Sequence, residues 1–166
     1  MVKLGIVGSA FQLTKEEIEI AWQVGKELAK SKISVFICFD SESLPMEVAR
    51  ELAKVKQPMC FVCDKKEEKA AKRLGFKATN VNLPRLSREV VFVSSVGALL
   101  VLGGGSGTLM EVTFAYQMSK PVFVLDELNG TVDVFKGKFL DKRQRVRVEA
   151  VQLKDLELFL DNFTKS

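Results

Sequence analysis

Apolar and polar positions along the chain alternate between two patterns, short continuous apolar runs and longer stretches striped at helical spacing. Lys3 to Gly8 is the first apolar run and reads as a buried strand. Thr14-Lys15-Glu16-Glu17 then spells a capping box, which predicts a helix to about Lys30 with Ile18, Ala21, Trp22, Gly25, Leu28 and Ala29 on its inner face. Ile33 to Phe39 predicts a second strand backed by a helix from Met46 to Val55, and Met59 to Cys63 a third strand followed by a helix from Lys65 to Leu74. Ser87 to Ser95 reads as a helix, Ala98 to Leu102 as a central strand, Thr108 to Met118 as a helix and Pro121 to Leu125 as the last parallel strand. Unbroken apolar strands alternating with helices are what a parallel sheet covered on both faces requires. The predicted class is therefore α/β, a doubly wound, mostly parallel, Rossmann-like sheet.

After Leu125 the pattern changes. Val132-Asp133-Val134-Phe135 and Val146-Arg147-Val148-Glu149-Ala150 alternate around a polar turn, which predicts an antiparallel C-terminal β-ribbon, and Leu153 to Phe163 predicts a closing helix. No linker, internal repeat or low-complexity tract interrupts the pattern, so residues 1–166 are expected to form a single Rossmann-like nucleotide-binding domain.

Composition narrows the classes. The 166 residues are 47% hydrophobic and 28% charged, and no apolar run approaches the roughly 20 residues a membrane span needs. Met1-Val2-Lys3 leads directly into a strand, so a cytoplasmic protein is expected. A net charge of +4, from 25 basic and 21 acidic residues, is too mild to imply nucleic acid. The basic residues do cluster, as Lys136, Lys138, Lys142, Arg143, Arg145 and Arg147, and they read as the solvated, edge-protecting face of the ribbon. The chain has no histidine, so acid–base chemistry falls to carboxylates or activated water and no metal site is predicted. Cys60-Phe61-Val62-Cys63 has redox or zinc spacing, but on a strand its two thiols face opposite sides, and no second pair completes a metal set.

One segment carries chemistry. In Val101-Leu102-Gly103-Gly104-Gly105-Ser106-Gly107-Thr108-Leu109-Met110-Glu111 an apolar strand breaks into a glycine loop and opens a helix. Glycines let backbone amides approach an anion, and the first helical turn offers unpaired donors at the positive end of its dipole. In a doubly wound sheet this loop neighbours the one after the first strand, where Gly8 and Ser9 stand. The expected phosphate site is Gly8, Ser9, Gly103, Gly104, Gly105, Ser106, Gly107 and Thr108, with the Glu111 carboxylate beside it. A plainer role competes for Glu111, because Thr108-Leu109-Met110-Glu111 is itself a capping-box pattern.

The stretch from Arg88 through Ala98 to Gly103-Gly104-Gly105-Ser106-Gly107-Thr108 and Glu111 resembles the lysine decarboxylase-like, or LOG, family of the SLOG Rossmann superfamily. Its better characterised members are cytokinin riboside monophosphate phosphoribohydrolases. Gly97 stands where that family commonly has Asp, and Gly103 where LOG proteins have Pro. A second family glycine loop is replaced by Asp40-Ser41-Glu42-Ser43-Leu44-Pro45, followed by a retained Met46 and Glu47, so the chain reads as a divergent member. The resemblance implies hydrolysis of a nucleoside 5′-monophosphate to free base and ribose 5-phosphate, with Glu111 and Arg88 catalytic, no metal, no cofactor and a homodimer. It does not imply lysine decarboxylation, because no pyridoxal-phosphate lysine motif is recognisable.

A second reading keeps the fold and drops the chemistry: a nucleotide-binding or anionic-cofactor carrier protein, as in the molybdenum-cofactor carriers and DNA-binding DprA proteins of related fold. The altered Asp40 to Pro45 segment favours it, and Arg88 with Glu111 opposes it. Either way the expected partner is a nucleoside monophosphate or a similar phosphorylated small molecule.

Overall fold

A computed structural model describes residues 3–38, 40–73, 76 and 78–165. Seven strands form one sheet in the order β4-β3-β2-β1-β5-β6-β7, every neighbouring pair parallel. The strands are β1 (Lys3–Gly8), β2 (Ser34–Cys38), β3 (Met59–Cys63), β4 (Ala78–Asn80), β5 (Ala98–Leu102), β6 (Val122–Leu125) and β7 (Val148–Val151). The helices are α1 (Lys15–Lys30), α2 (Leu44–Lys54), α3 (Lys65–Arg73), α4 (Arg85–Ser95), α5 (Ser106–Gln117) and α6 (Leu156–Lys165). Phe39 and Leu74, predicted ends of a strand and a helix, lie outside the described residues.

The two-faced core follows from strand alternation. Leu4 and Ile6 of β1 and Ala98, Leu100 and Leu102 of β5 pack with Val24 and Leu28 of α1 and Val48 and Leu52 of α2. Val7, Leu99 and Val101 face the other way, onto Phe92 and Val93 of α4 and Val112 and Ala115 of α5. The α1 capping box is present: Thr14 Oγ1 accepts from the Glu17 amide at 3.2 Å, and Glu17 Oε2 from the Thr14 amide at 2.8 Å. Trp22 is not on the inner face of α1. It is 39% exposed, its indole N–H donates to Glu47 at 3.0 Å, and Val24 is buried instead.

The predicted antiparallel ribbon is corrected. Asp133–Phe135 is a single 3-10 turn, and β7 extends the sheet parallel to β6, in register from Val122↔Val148 to Leu125↔Val151. β7 is an edge strand buried at its two ends and open in its middle: Val148 and Val151 pack into the cores on opposite faces of the sheet, while Glu149 and Ala150 are exposed. Pro121 to Leu125 is accordingly not the last parallel strand. The basic cluster serves the connection into β7 rather than a ribbon face. Lys136 bridges Asp126 and Asp133 at 3.0 and 3.3 Å, Arg143 pairs with Asp141, and Arg145 donates to the Gln117 carbonyl at 3.3 Å. Asp141, held by Arg143 and the Tyr116 hydroxyl, keeps its carboxyl well below the usual carboxylate range.

Strand order fixes where a ligand belongs. The chain winds outward from β1 to β4 and then returns to place β5 on the other side of β1, so the topological switch lies between β1 and β5.

Candidate functional site

The glycine loop leaves β5 at the switch point. Gly103 and Gly104 take φ of +65° and +105°, a left-handed reversal that side chains rarely adopt, and a Cβ on Gly104 would run into the Thr108 side chain. These two glycines are required by the turn itself. Gly105 and Gly107 differ: a Cβ at either would meet nothing within 4 Å, so no packing constraint demands glycine there and their backbone is left bare toward open space.

Gly105 is the N-cap of α5 and supplies no side-chain cap. The Leu109 amide donates to the Gly105 carbonyl at 3.0 Å, and the amides of Ser106, Gly107 and Thr108 precede it as the unpaired first turn. Because α5 starts at Ser106, Thr108 and Glu111 lie inside the helix. The Thr108 to Glu111 spacing therefore does not mark the start of the helix, and Glu111 is buried within its first turns, 8% exposed. The Thr108 hydroxyl donates to the Gly8 carbonyl at 3.3 Å, tying the two loops together.

These residues line a cleft of about 280 Å³ with Arg88, Glu89, Cys38, Asp40, Ser43 and Phe11. Of the predicted phosphate residues, Gly8, Gly105, Ser106, Gly107 and Thr108 reach the cleft, whereas Ser9, Gly103 and Gly104 stand behind it as framework. The Ser9 amide holds the Leu102 carbonyl at 3.0 Å and its own carbonyl accepts from the Leu44 amide at 2.9 Å.

Arg88 and Glu111 both line this cleft. Arg88 is 3% exposed and pairs with Glu67 of α3, a partner not apparent from sequence spacing. Burial works against its charge, but the neighbouring Cys38 and Glu67 hold the guanidinium above its ordinary range. Its Nε is buried with no hydrogen-bond partner. An unsatisfied buried donor is costly, by about 1–3 kcal/mol, so such a group in a cleft wall is prepared for an acceptor. The Cys38 thiol is pushed up to about 12, first by burial and then by Glu111, Glu89 and Glu67, with Arg88 opposing them. The cleft thus has bare amides at the first turn of α5, the carboxylates of Glu111 and Glu89 around Arg88, and Asp40 on the β2 side.

The support behind the loop was not legible. Gly130 and Thr131, which follow β6, buttress it: the Thr131 amide donates to the Gly104 carbonyl at 2.9 Å and its hydroxyl to the Gly105 carbonyl at 2.8 Å. A Cβ on Gly130 would come within 2.6 Å of the Gly103 carbonyl carbon. The sequence offers only a polar Asn129-Gly130-Thr131 segment, just before the stretch that reads as a ribbon. Met46 and Glu47, the residues retained from the second family loop, have other duties. Met46 is core, and Glu47 holds Trp22 and Arg50 on the outer side of α2. Among the described residues, no three His, Cys, Asp or Glu side chains stand together as metal ligands, and no helix is long and apolar enough to cross a membrane.

Residues 1–154 match the model of the SLOG cluster4 family. No curated protein matches the sequence. Among solved structures the chain resembles TM1055, with a TM-score of 0.83 at 21% identity, over 98% of this chain and 99% of that one. The molybdenum cofactor binding protein of Rippkaea orientalis superposes with a TM-score of 0.77 at 19% identity, over 99% of this chain and 98% of that one. The molybdenum cofactor carrier protein of Chlamydomonas reinhardtii gives 0.78 at 17% identity with the same coverage. At these identities the likeness is one of fold.

Proposed function

The chain belongs to the SLOG cluster4 family, and from that premise we propose that the cleft binds a nucleoside 5′-monophosphate and hydrolyses its N-glycosidic bond to free base and ribose 5-phosphate. One observation carries the reading: the uncapped first turn of α5, the unpartnered Nε of Arg88 and the buried Glu111 all line a single cleft. The 5′-phosphate sits on the amides from Gly105 to Thr108, where dipole and donors converge. Glu111, one turn further along α5, faces the ribose and stabilises the oxocarbenium-like charge at C1′ as the bond to the base breaks. Water adds to C1′, and the base leaves with the proton that water gives up. Arg88 orients Glu111 or the departing base through a charge-assisted contact. The size of the cleft, near the small end of the roughly 300–1,000 Å³ range of ligand sites, suits a ligand of this size. Assembly as a homodimer belongs to the same proposal.

The carrier reading rests on a different observation. The β2 side of the cleft is walled by Asp40, Ser43 and Pro45, where a catalytic relative has a second glycine loop, and two proteins of the same fold are molybdenum cofactor binding or carrier proteins. A chromatographic assay against a panel of nucleoside 5′-monophosphates, with Glu111→Gln run beside the wild type, separates the two. Base release that falls about a hundredfold or more in the variant supports hydrolysis. No release, with a nucleotide still raising the melting temperature, supports a carrier. Neither release nor a thermal shift sinks hydrolysis and nucleotide binding alike.

A further inference from the structure

Among the described residues, Phe11 is the one large aromatic lining the cleft, and packing does not account for it. It is 61% exposed, yet it lines the cleft and takes a φ of +66°, followed by Gln12 at +49°. A bulky residue occupies that region only when its surroundings hold it there, and such strain gathers at ligand sites. Here the clamp is visible. The Phe11 amide donates to the Glu42 carbonyl at 3.0 Å, the Leu44 amide donates to the Ser9 carbonyl at 2.9 Å, and Ala10 bridges Ser43. The backbone is fastened between two loops while the ring stays in solvent.

Strand order gives the ring a place along the ligand. The three loops over the cleft rise from β5, β1 and β2, which are consecutive in the sheet. At about 4.8 Å per strand, roughly 10 Å separates the α5 amides from the Asp40 side, the reach of a nucleotide from phosphate to base. Charge sets the direction. A phosphate is drawn to the first turn of α5 and repelled by Asp40, so the other end of the ligand lies between Phe11 and Asp40. Asp40 lines the cleft, its Oδ1 accepts from the Glu42 amide at 3.3 Å, and an ionised carboxylate accepts several donors at once.

Resting on the nucleotide reading above, we propose that Phe11 and Asp40 form the ring subsite of this cleft: Phe11 stacks on a planar heterocycle, and Asp40 accepts from N–H donors on its edge. A guanine-type edge, with adjacent ring N–H and amino donors, fits a carboxylate better than the edge of adenine, which pairs one amino donor with a ring acceptor.

The test is calorimetric titration of GMP, AMP and ribose 5-phosphate, each into proteins carrying Glu111→Gln so that no nucleotide is consumed. The parent is expected to bind GMP about tenfold more tightly than AMP. Phe11→Gly is expected to weaken both nucleotides by about tenfold, leave ribose 5-phosphate unchanged, and keep or raise the melting temperature, because glycine is at ease at positive φ. Phe11→Tyr restores nucleotide affinity. Asp40→Asn brings the GMP to AMP ratio toward one. Equal losses for ribose 5-phosphate and nucleotides in Phe11→Gly, or no loss at all, overturn stacking, and an unchanged ratio in Asp40→Asn overturns edge recognition. If the parent binds none of the three probes, the nucleotide reading itself fails; binding with unresponsive variants fails only the subsite.

Discussion

Two helices open onto the same cleft, and their first turns are finished differently. At α2 the N-cap is Ser43, whose hydroxyl accepts from the Met46 amide at 3.4 Å while its carbonyl accepts from Met46 and Glu47 at 3.0 and 3.2 Å. At α5 the N-cap is Gly105 and no side chain caps the turn. Both helices carry the same dipole, so the dipole alone does not distinguish a ligand site from a structural end. What differs is whether the chain has already supplied the acceptor. A side-chain cap closes α2 to ligands, whereas its absence leaves α5 open.

The most direct way to break this contrast is to give α5 the cap it lacks. Gly105 has a negative φ of −106° and room for a side chain, so Gly105→Asp places a carboxylate on the free amides without disturbing the turn made by Gly103 and Gly104. The helix is expected to gain about 1 kcal/mol in chemical denaturation. Affinity for ribose 5-phosphate is expected to fall about a hundredfold, because an internal anion now occupies the site and repels another. A variant that is more stable yet binds as before would show that the α5 amides do not hold the phosphate.

Ser43→Ala makes the opposite change on the other helix. Removing the cap is expected to destabilise the protein by about 1 kcal/mol, read as a lower denaturation midpoint at an unchanged slope. Ribose 5-phosphate affinity should stay within about twofold, since the α2 turn is not the anion site. If affinity instead rises sharply, the uncapped α2 has become a second anion site, and Ser43 is what keeps the cleft one-sided.

The sequence made this asymmetry only half legible. β1, β3 and β5 were readable to the residue, because central parallel strands are short unbroken apolar runs bounded by polar loops. Ala78-Thr79-Asn80 of β4 carries no apolar signature, and the residues around β7 read as a hairpin arm because apolar and polar side chains alternate there in sequence. At the site, the glycine loop was visible because its turn demands glycine locally. The boundary of α5 was not: Thr108 and Glu111 have capping-box spacing, but Gly105 completes the turn early enough for the helix to begin at Ser106. Phe11, Cys38 and Thr131 reach the site only through strand order, which no local pattern encodes.

The smallest effect probes the β2 side of the cleft. In the unfolded chain the Cys38 thiol titrates at its ordinary value of 9.0, and in the folded protein burial, together with Glu111, Glu89 and Glu67, pushes it up to about 12. Below pH 9 both states keep the proton and the contribution to stability is full. Between pH 9 and 12 the unfolded chain releases a proton that the folded state retains, so the unfolding free energy falls as pH rises. Cys38→Ala removes this contribution and leaves every lysine and tyrosine in place. Its stability should therefore decline less steeply than that of the wild type across the window, measured by urea denaturation at a series of pH values. Coincident slopes would mean that the Cys38 thiol is not buried and that the end of β2 is well solvated.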